Sequence, residues 1–470
     1  MDTKGSHYQF MFPFLLKENR IKEFIDKMLN DGYEFFKLKE SSQEEGFYGE
    51  HQVQHRKLEK FFLPNIEQLL FPESMDNRKD IRRFSKILGY SGKLQGEYVE
   101  IPFTIPSIDI VICPFQVGIL TIRVQLPESI SFTESVEFAD IFRTIEPIEG
   151  ADACKILYGN QEFGQVKDFI FAEICPFIKA FMDNQEEQSP YFGSMPFFMD
   201  EKMYVLSYIS LDPREEIDHC MLYRFGHMYG FDKHGGVRKG PTNPSFLEKQ
   251  YNESIYDAWA DETYYGVTDY TFFSLTKTAD SETKDMIISE MYGKHYYSFL
   301  LYFFYKIVLM KLMHLQSDTN INRDEEKIEE LIVDITEFSS NYYFPEVNNS
   351  TFGKGTFKFV KQIFKIEYLM EHLMTTLEML YQNHERLTSK RSNNLLQILT
   401  IYSVISGIFG MNIVVEDIKS GWEWSEISNF SFFEFFGLFV SITAIIIGTG
   451  MGYYFVKQHV YEYRKRKKYG

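Results

Sequence analysis

Two long apolar stretches close to the C-terminal end constrain this chain more than any other feature. They cover residues 395–411 and 435–456. A bilayer core about 30 Å thick takes roughly 20 apolar residues in helical form. The second stretch meets that length alone. The first is short by itself, but it continues from a long helical pattern, and a bilayer thins around a short span. Lys390 and Arg391 precede the first stretch, and Arg464, Lys465, Arg466, Lys467 and Lys468 follow the second. The segment between them carries Glu416, Asp417, Glu423 and Glu426 against a single cation, Lys419. Cationic flanks stay on the cytoplasmic side. The expectation is a multi-pass inner-membrane protein with both termini cytoplasmic and an external acidic loop over 413–434. Tyr453 and Tyr454 fall where an interfacial aromatic belt is expected. The loop carboxylates either draw cations toward a pore mouth or are simply solvated.

Upstream, residues 357–394 contain no proline and read as one helix. Ile363, Met370 and Leu377 recur every seven residues, as do Ile366, Leu373, Leu380 and Leu387. Such a repeat is either a seam against neighbouring helices or the buried face of a helix within one subunit. Residues 296–315 are apolar enough to suggest a third span. Lys306, Lys311 and His314 interrupt them, and charge at bilayer depth is costly, so this reads as a helix packed against the stalk. Residues 325–338 form its amphipathic return arm. The resulting partition is 1–280 as an α/β sensor or ligand-binding domain and 281–353 as a helical hairpin. A stalk follows over 354–394, then a first span over 395–412, the loop, a second span over 435–456, and a basic tail over 457–470.

The first 280 residues mix periodicities. Residues 98–101, 108–113, 118–125, 203–209, 221–229 and 264–275 pattern as strands. Residues 18–30, 54–70, 135–143 and 165–183 pattern as helices, with Pro64 and Pro176 set to break two of them. The fold class expected is α+β, or α/β. The run from Phe10 to Leu16 is too short for a signal peptide and is followed by charged residues. Cys113, Cys154, Cys175 and Cys220 form no CxxC pair and read as reduced, buried thiols. With 49 basic against 67 acidic residues the net charge is −18, which excludes a general nucleic-acid binder.

At the outer end of the first apolar stretch stands Ile408-Phe409-Gly410-Met411-Asn412, and Asn394-Leu395-Leu396-Gln397-Ile398-Leu399-Thr400 opens it. In this setting, with a second span and a basic tail behind it, Gly410-Met411-Asn412 resembles the signature of the CorA-type magnesium and divalent-cation channels. The resemblance covers about a quarter of the chain. It implies a funnel-shaped homopentamer with the first span lining the pore and Asn412 meeting the hydrated cation, with Gly410 permitting a sharp turn and Met411 packing it. The permeant ion would be Mg2+ or another divalent cation, whose reluctance to shed water suits recognition by amide oxygens. Asn393, Thr400 and Gly407, with Leu396, Ser403 and Gly410, draw one stripe of mostly small and polar residues along the first span. That stripe is either a pore face or a small-residue packing seam. Leu396 or Ile401 is a candidate hydrophobic gate. Gly448, Gly450 and Gly452 read as helix packing in the second span.

The first span is shorter, the loop longer and the preceding domain larger than in ordinary members of that family. Some divergent CorA-like proteins belong to type III CRISPR defence systems, where a nucleotide second messenger activates a membrane effector in antiviral defence. The resemblance therefore implies either a housekeeping transporter or such an effector. Lys233, His234, Arg238 and Lys239, interleaved with Gly235, Gly236 and Gly240, form either a phosphate-binding loop or an exposed turn. The acidic run Asp324, Glu325 and Glu326 reads as a solvated helix start. His219, Cys220, His227 and His234 fit no zinc spacing. No nucleophile elbow, paired catalytic carboxylates or HExxH motif is present, so no enzyme is expected. A membrane-tethered enzyme or receptor is the competing class.

Overall fold

The computed structural model describes residues 2–416, apart from 41–42, 44–45, 129, 146–153, 184–201, 279, 320–324 and 349, and scattered helical positions between 432 and 457. It is an α+β protein whose chain divides into two compact units, Met1–Leu377 and Glu378–Gly470.

The elements of the first unit run β1 (Thr3–Leu15), α1 (Ile21–Asn30), β2 (Glu34–Phe35), α2 (His55–Glu59), α3 (Pro64–Leu70), β3 (Arg82–Gln95), β4 (Glu100–Ile112) and β5 (Val117–Leu126). They continue with α4 (Phe132–Arg143), β6 (Lys155–Tyr158), β7 (Gln161–Phe163), α5 (Val166–Phe169), β8 (Tyr204–Leu211), α6 (His219–His227) and α7 (Pro244–Ser254). Next come β9 (Ile255–Ala260), β10 (Thr263–Val267), β11 (Thr271–Thr276), α8 (Ser281–Glu290), a π turn (Met291–His295), α9 (Tyr296–Asp318), α10 (Glu325–Asn341) and α11 (Thr351–Ile363). The last element, α12 (Ile366–Glu416), begins in the first unit and ends in the second.

The strands form one sheet in the order β7-β6-β3-β4-β5-β1-β8-β11-β10-β9, with β2 beside β3. Every pairing is antiparallel except β8 with β11. β1 lies at the centre and is buried almost from end to end. Its Pro13 is tolerated there because β8 pairs with β1 only as far as Met11, leaving the Pro13 position bonded on the β5 side alone.

Side chains alternate across a strand, and here the two faces differ in chemistry. On one face Tyr8, Phe10 and Phe12 join Ile108, Ile110, Ile122 and Val124 in the apolar core, closed by Phe138 and Phe142 of α4. On the other face the same strands present His7, Gln9, Arg83, Asp109, Thr121 and Arg123, all buried. The π turn and α9 cover that face: Gln9 donates to the Met291 carbonyl and Tyr296 reaches Thr121.

Several expectations are corrected. Residues 221–227 are helical, not a strand, because the Asp218 side chain caps the Met221 amide and the helix ends where Met228 turns left-handed. The expected helix over 165–183 is a four-residue α5 followed by a π turn and a 3-10 turn, broken around Pro176. The two strands expected over 98–101 and 108–113 are parts of one strand, β4 (Glu100–Ile112), in which the register against β5 shifts between Thr104 and Ile108, spanning Pro106. The uninterrupted helix expected over 357–394 breaks at Phe364 and Lys365. Lys365 has φ +54°, and Lys306 bonds the Phe364 carbonyl. The heptad seam is covered within the chain over its first turns, since Ile366, Met370 and Leu373 are buried.

Among the described residues one helical stretch, Ser281–Ser317, is long and apolar enough by composition to cross a membrane, and 67% of its apolar window is buried inside the protein. It is a core element, packed on the sheet through Tyr204 and Phe272, with Lys311 bonded to the Phe115 carbonyl. Cys113, Cys154 and Cys175 are buried and Cys220 half-buried, none in a disulfide.

Candidate functional site

Helix α12 carries the pore and motif residues singled out by sequence. Asn393, Leu396, Thr400, Ser403 and Gly407 all lie on α12 and are exposed, as is Ile401. Around them Leu395, Ile398, Leu399 and Val404 are also about half exposed. The backbone stays helical through Gly410, Met411 and Asn412 to Glu416, so the motif sits inside a helix and no turn falls at Gly410. Within a seven-residue repeat Asn412 shares its position with Ile398 and Ile405, on the face of the helix opposite the small and polar stripe. Helix α12 is also longer than the first apolar stretch: residues 395–416 span about 33 Å at 1.5 Å per residue. Farther on, Phe432, Phe435, Phe436, Phe439, Ile442 and Ile446 are helical and exposed, as is Tyr453. Asp417, Glu423 and Glu426, with Gly448, Gly452 and the basic tail, lie outside the described residues.

The basic loop folds around an acid. Asp232 accepts bonds from the His234 and Gly236 amides at 2.9 and 3.0 Å, the donors that a phosphate would need. Arg238 stacks on Tyr229 with its guanidinium 3.9 Å from the ring centre. Lys233 holds Tyr98 through its carbonyl. The arrangement is that of a carboxylate-closed turn. No group of three or more metal-ligating side chains exists among the described residues.

A different constellation lies on the polar face of the sheet. Asp109 of β4 sits between Arg83 of β3 and Arg123 of β5, and all three are essentially inaccessible. Arg83 Nε is 2.9 Å from the Asp109 carboxylate, Arg123 bonds the same oxygen, and Ser85 donates to the other at 2.7 Å. Arg83 also donates to the Tyr48 and Tyr297 hydroxyls, Arg123 donates to Ser107, and Tyr296 donates to Asp109. Burial alone would raise the Asp109 carboxyl, but the two guanidiniums and the bonds from Arg123 and Ser85 hold it down at about 2. Two cations against one anion leave the cluster with a net charge of +1 in the interior.

Tyr48 and Tyr292, rings 5.7 Å apart, connect this cluster to a groove of about 710 Å3. The Tyr292 hydroxyl is 3.2 Å from His7 Nδ1. Gln125, His7 and Tyr208 are directly opposite one another on β5, β1 and β8, so strand register alone places them in one row on the groove floor. His51 meets His7 edge-on at 5.0 Å and faces Asp285 at 3.8 Å. Burial, reinforced by His51, pushes the His7 imidazole down to about 3, so it is neutral at physiological pH. In the larger cavity, beside α2 and α3, Lys39 pairs with Glu73 across the lining and Lys37 pairs with the adjacent Glu40.

Sequence reasoning missed this constellation. The available signal was a charge inside a strand-like apolar run: Asp109 in Ile108-Asp109-Ile110 and Arg123 in Ile122-Arg123-Val124. No family model matches the chain, and no curated protein matches it either.

Proposed function

We propose that the chain is a CorA-like divalent-cation channel of the inner membrane, with α12 and the following helix spanning the bilayer and five copies assembling around α12. The carrying observation is Gly410-Met411-Asn412 near the far end of a continuous helix whose preceding residues expose apolar side chains that water would not tolerate as a patch. The 33 Å of helix after Asn394 suits a bilayer core. In this reading Asn393, Thr400, Ser403 and Gly407 face the pore, the helix opens at Gly410 in the assembled channel to bring Asn412 round to the hydrated Mg2+ at the mouth, and the unit up to Leu377 is the cytoplasmic gate. Magnesium flux into dye-loaded proteoliposomes tests it, with flux expected from the parent chain and lost in Asn412→Ala. Absence of flux under every ligand condition refutes the channel.

A second reading within this class is a membrane effector opened by a nucleotide second messenger. It is favoured by the size of the 377-residue unit and by its groove. Thermal shift separates the two: stabilisation by Mg2+ alone supports homeostasis, and stabilisation by an adenine nucleotide supports the effector.

A further inference from the structure

The groove between the β5-β1-β8 face and α8 has a floor richer in hydrogen-bond donors than its packing requires. Tyr208 and Ser210 are each 1% exposed and line the groove, and their hydroxyls have no protein partner beyond each other. His7 is 9% exposed, with Nδ1 against the Tyr292 hydroxyl. When that hydroxyl donates, the imidazole carries its proton on Nε2, the atom beside Gly5 of the groove wall. Behind His7, the positive field of Arg123 acts on Tyr292, and the Arg83–Asp109–Arg123 cluster is one positive charge in excess.

The rim sorts what can enter. Lys284 of α8 lines it, and Lys4 lines it while paired with Asp212 at 3.5 Å. Glu50, Glu128 and Asp285 also stand on the rim, and Asp280 occupies the N-terminal amides of α8. Three carboxylates at the mouth repel a polyanion, while the neutral donors on the floor and the buried positive charge behind it favour a single anionic group.

We infer that this groove is a binding site for a small molecule bearing one phosphate or carboxylate group, seated on His7, Tyr208 and Ser210 with Lys284 at its edge, and that nucleic acid is excluded from it. Occupancy is felt on α8, which forms one wall, and α8 continues through the π turn into α9. Such turns are frequent at functional sites. The inference concerns binding and holds whether or not the chain conducts ions.

The test uses the full chain in detergent, titrated with sodium phosphate and separately with sodium acetate at constant ionic strength while melting temperature is followed. A saturable rise with phosphate assigns a phosphoryl ligand, and a rise with acetate alone assigns a carboxylate. In either case Lys284→Ala and Tyr208→Phe, which alter a rim side chain and one hydroxyl, weaken the response by tenfold or more in concentration. No rise with either anion overturns the site. So does a response unchanged in both variants, or one competed away by a 20-residue single-stranded RNA.

Discussion

Replacing Asp109 by Asn removes the one anion that compensates two fully buried guanidiniums. Shape is nearly conserved, so the effect is electrostatic: the interior charge of the cluster rises from +1 to +2, and the bonds from Arg83, Arg123, Ser85 and Tyr296 lose their charged acceptor. Breaking a buried ion pair by removing one partner costs about 3–5 kcal/mol. At about 2.1 cal/mol/K of unfolding entropy per residue, a 377-residue unit loses about 0.8 kcal/mol per degree. The expected fall in melting temperature is therefore about 4–6 °C, read by scanning calorimetry or dye binding. Glu162→Gln, which breaks the exposed Lys155–Glu162 pair, leaves the midpoint where it was. Adding Arg123→Leu to Asp109→Asn returns the buried charge to +1, so the double variant is less destabilised than the sum of the singles. An unchanged midpoint in Asp109→Asn, or strict additivity in the double variant, refutes the electrostatic account.

Acidification acts through buried histidines. His7 and His295 are held down to about 3 and about 4 by burial, below the 6.5 of a free imidazole. The unfolded chain thus takes up protons first as pH falls. Their stabilising contribution is complete above pH 6.5 and declines below it, by about 1.4 kcal/mol per pH unit for each group until the folded value is reached. The melting temperature falls between pH 7 and pH 5, and His7→Gln flattens that slope. Gly118 is a packing constraint, because a Cβ there would stand 2.4 Å from the Phe14 ring. Gly118→Ala costs about 1–3 kcal/mol, measured by urea denaturation.

How much of this was legible in the sequence depends on how local the signal is. Helices α1 and α4 and strands β5 and β8 follow from periodicity. Helix α9 was legible as a helix packed within the protein, against the stalk, because Lys306 and Lys311 interrupt its apolar run, and both find carbonyl partners; that it packs on the sheet was not. The central strand β1 was not recognised. Buried on both faces, it lacks the alternation of a half-exposed strand, and Pro13 argues against a central position until the shorter reach of β8 is known. The break at Lys365 was invisible because a lysine in the left-handed region carries no composition signal. The groove was beyond reach for a deeper reason. His7, Gln125 and Tyr208 come together only through the register of three strands far apart in sequence.

The position of β1 has a consequence for synthesis. Its partners, β5 and β8, begin at Val117 and Tyr204, so residues 3–15 emerge from the ribosome long before either neighbour exists. At about 5–20 residues per second, the interval before β8 is available is about 10–40 s. Until β5 is made the strand holding Phe10, Met11, Phe12 and Phe14 has both edges open, and until β8 is made it keeps one open, the kind of segment that pairs with foreign strands. The sheet is then closed from its middle, with its earliest strand inserted late. Yield in expression is accordingly sensitive to how well residues 3–15 are shielded while the remainder is made, and a chaperone that holds extended aromatic segments raises it.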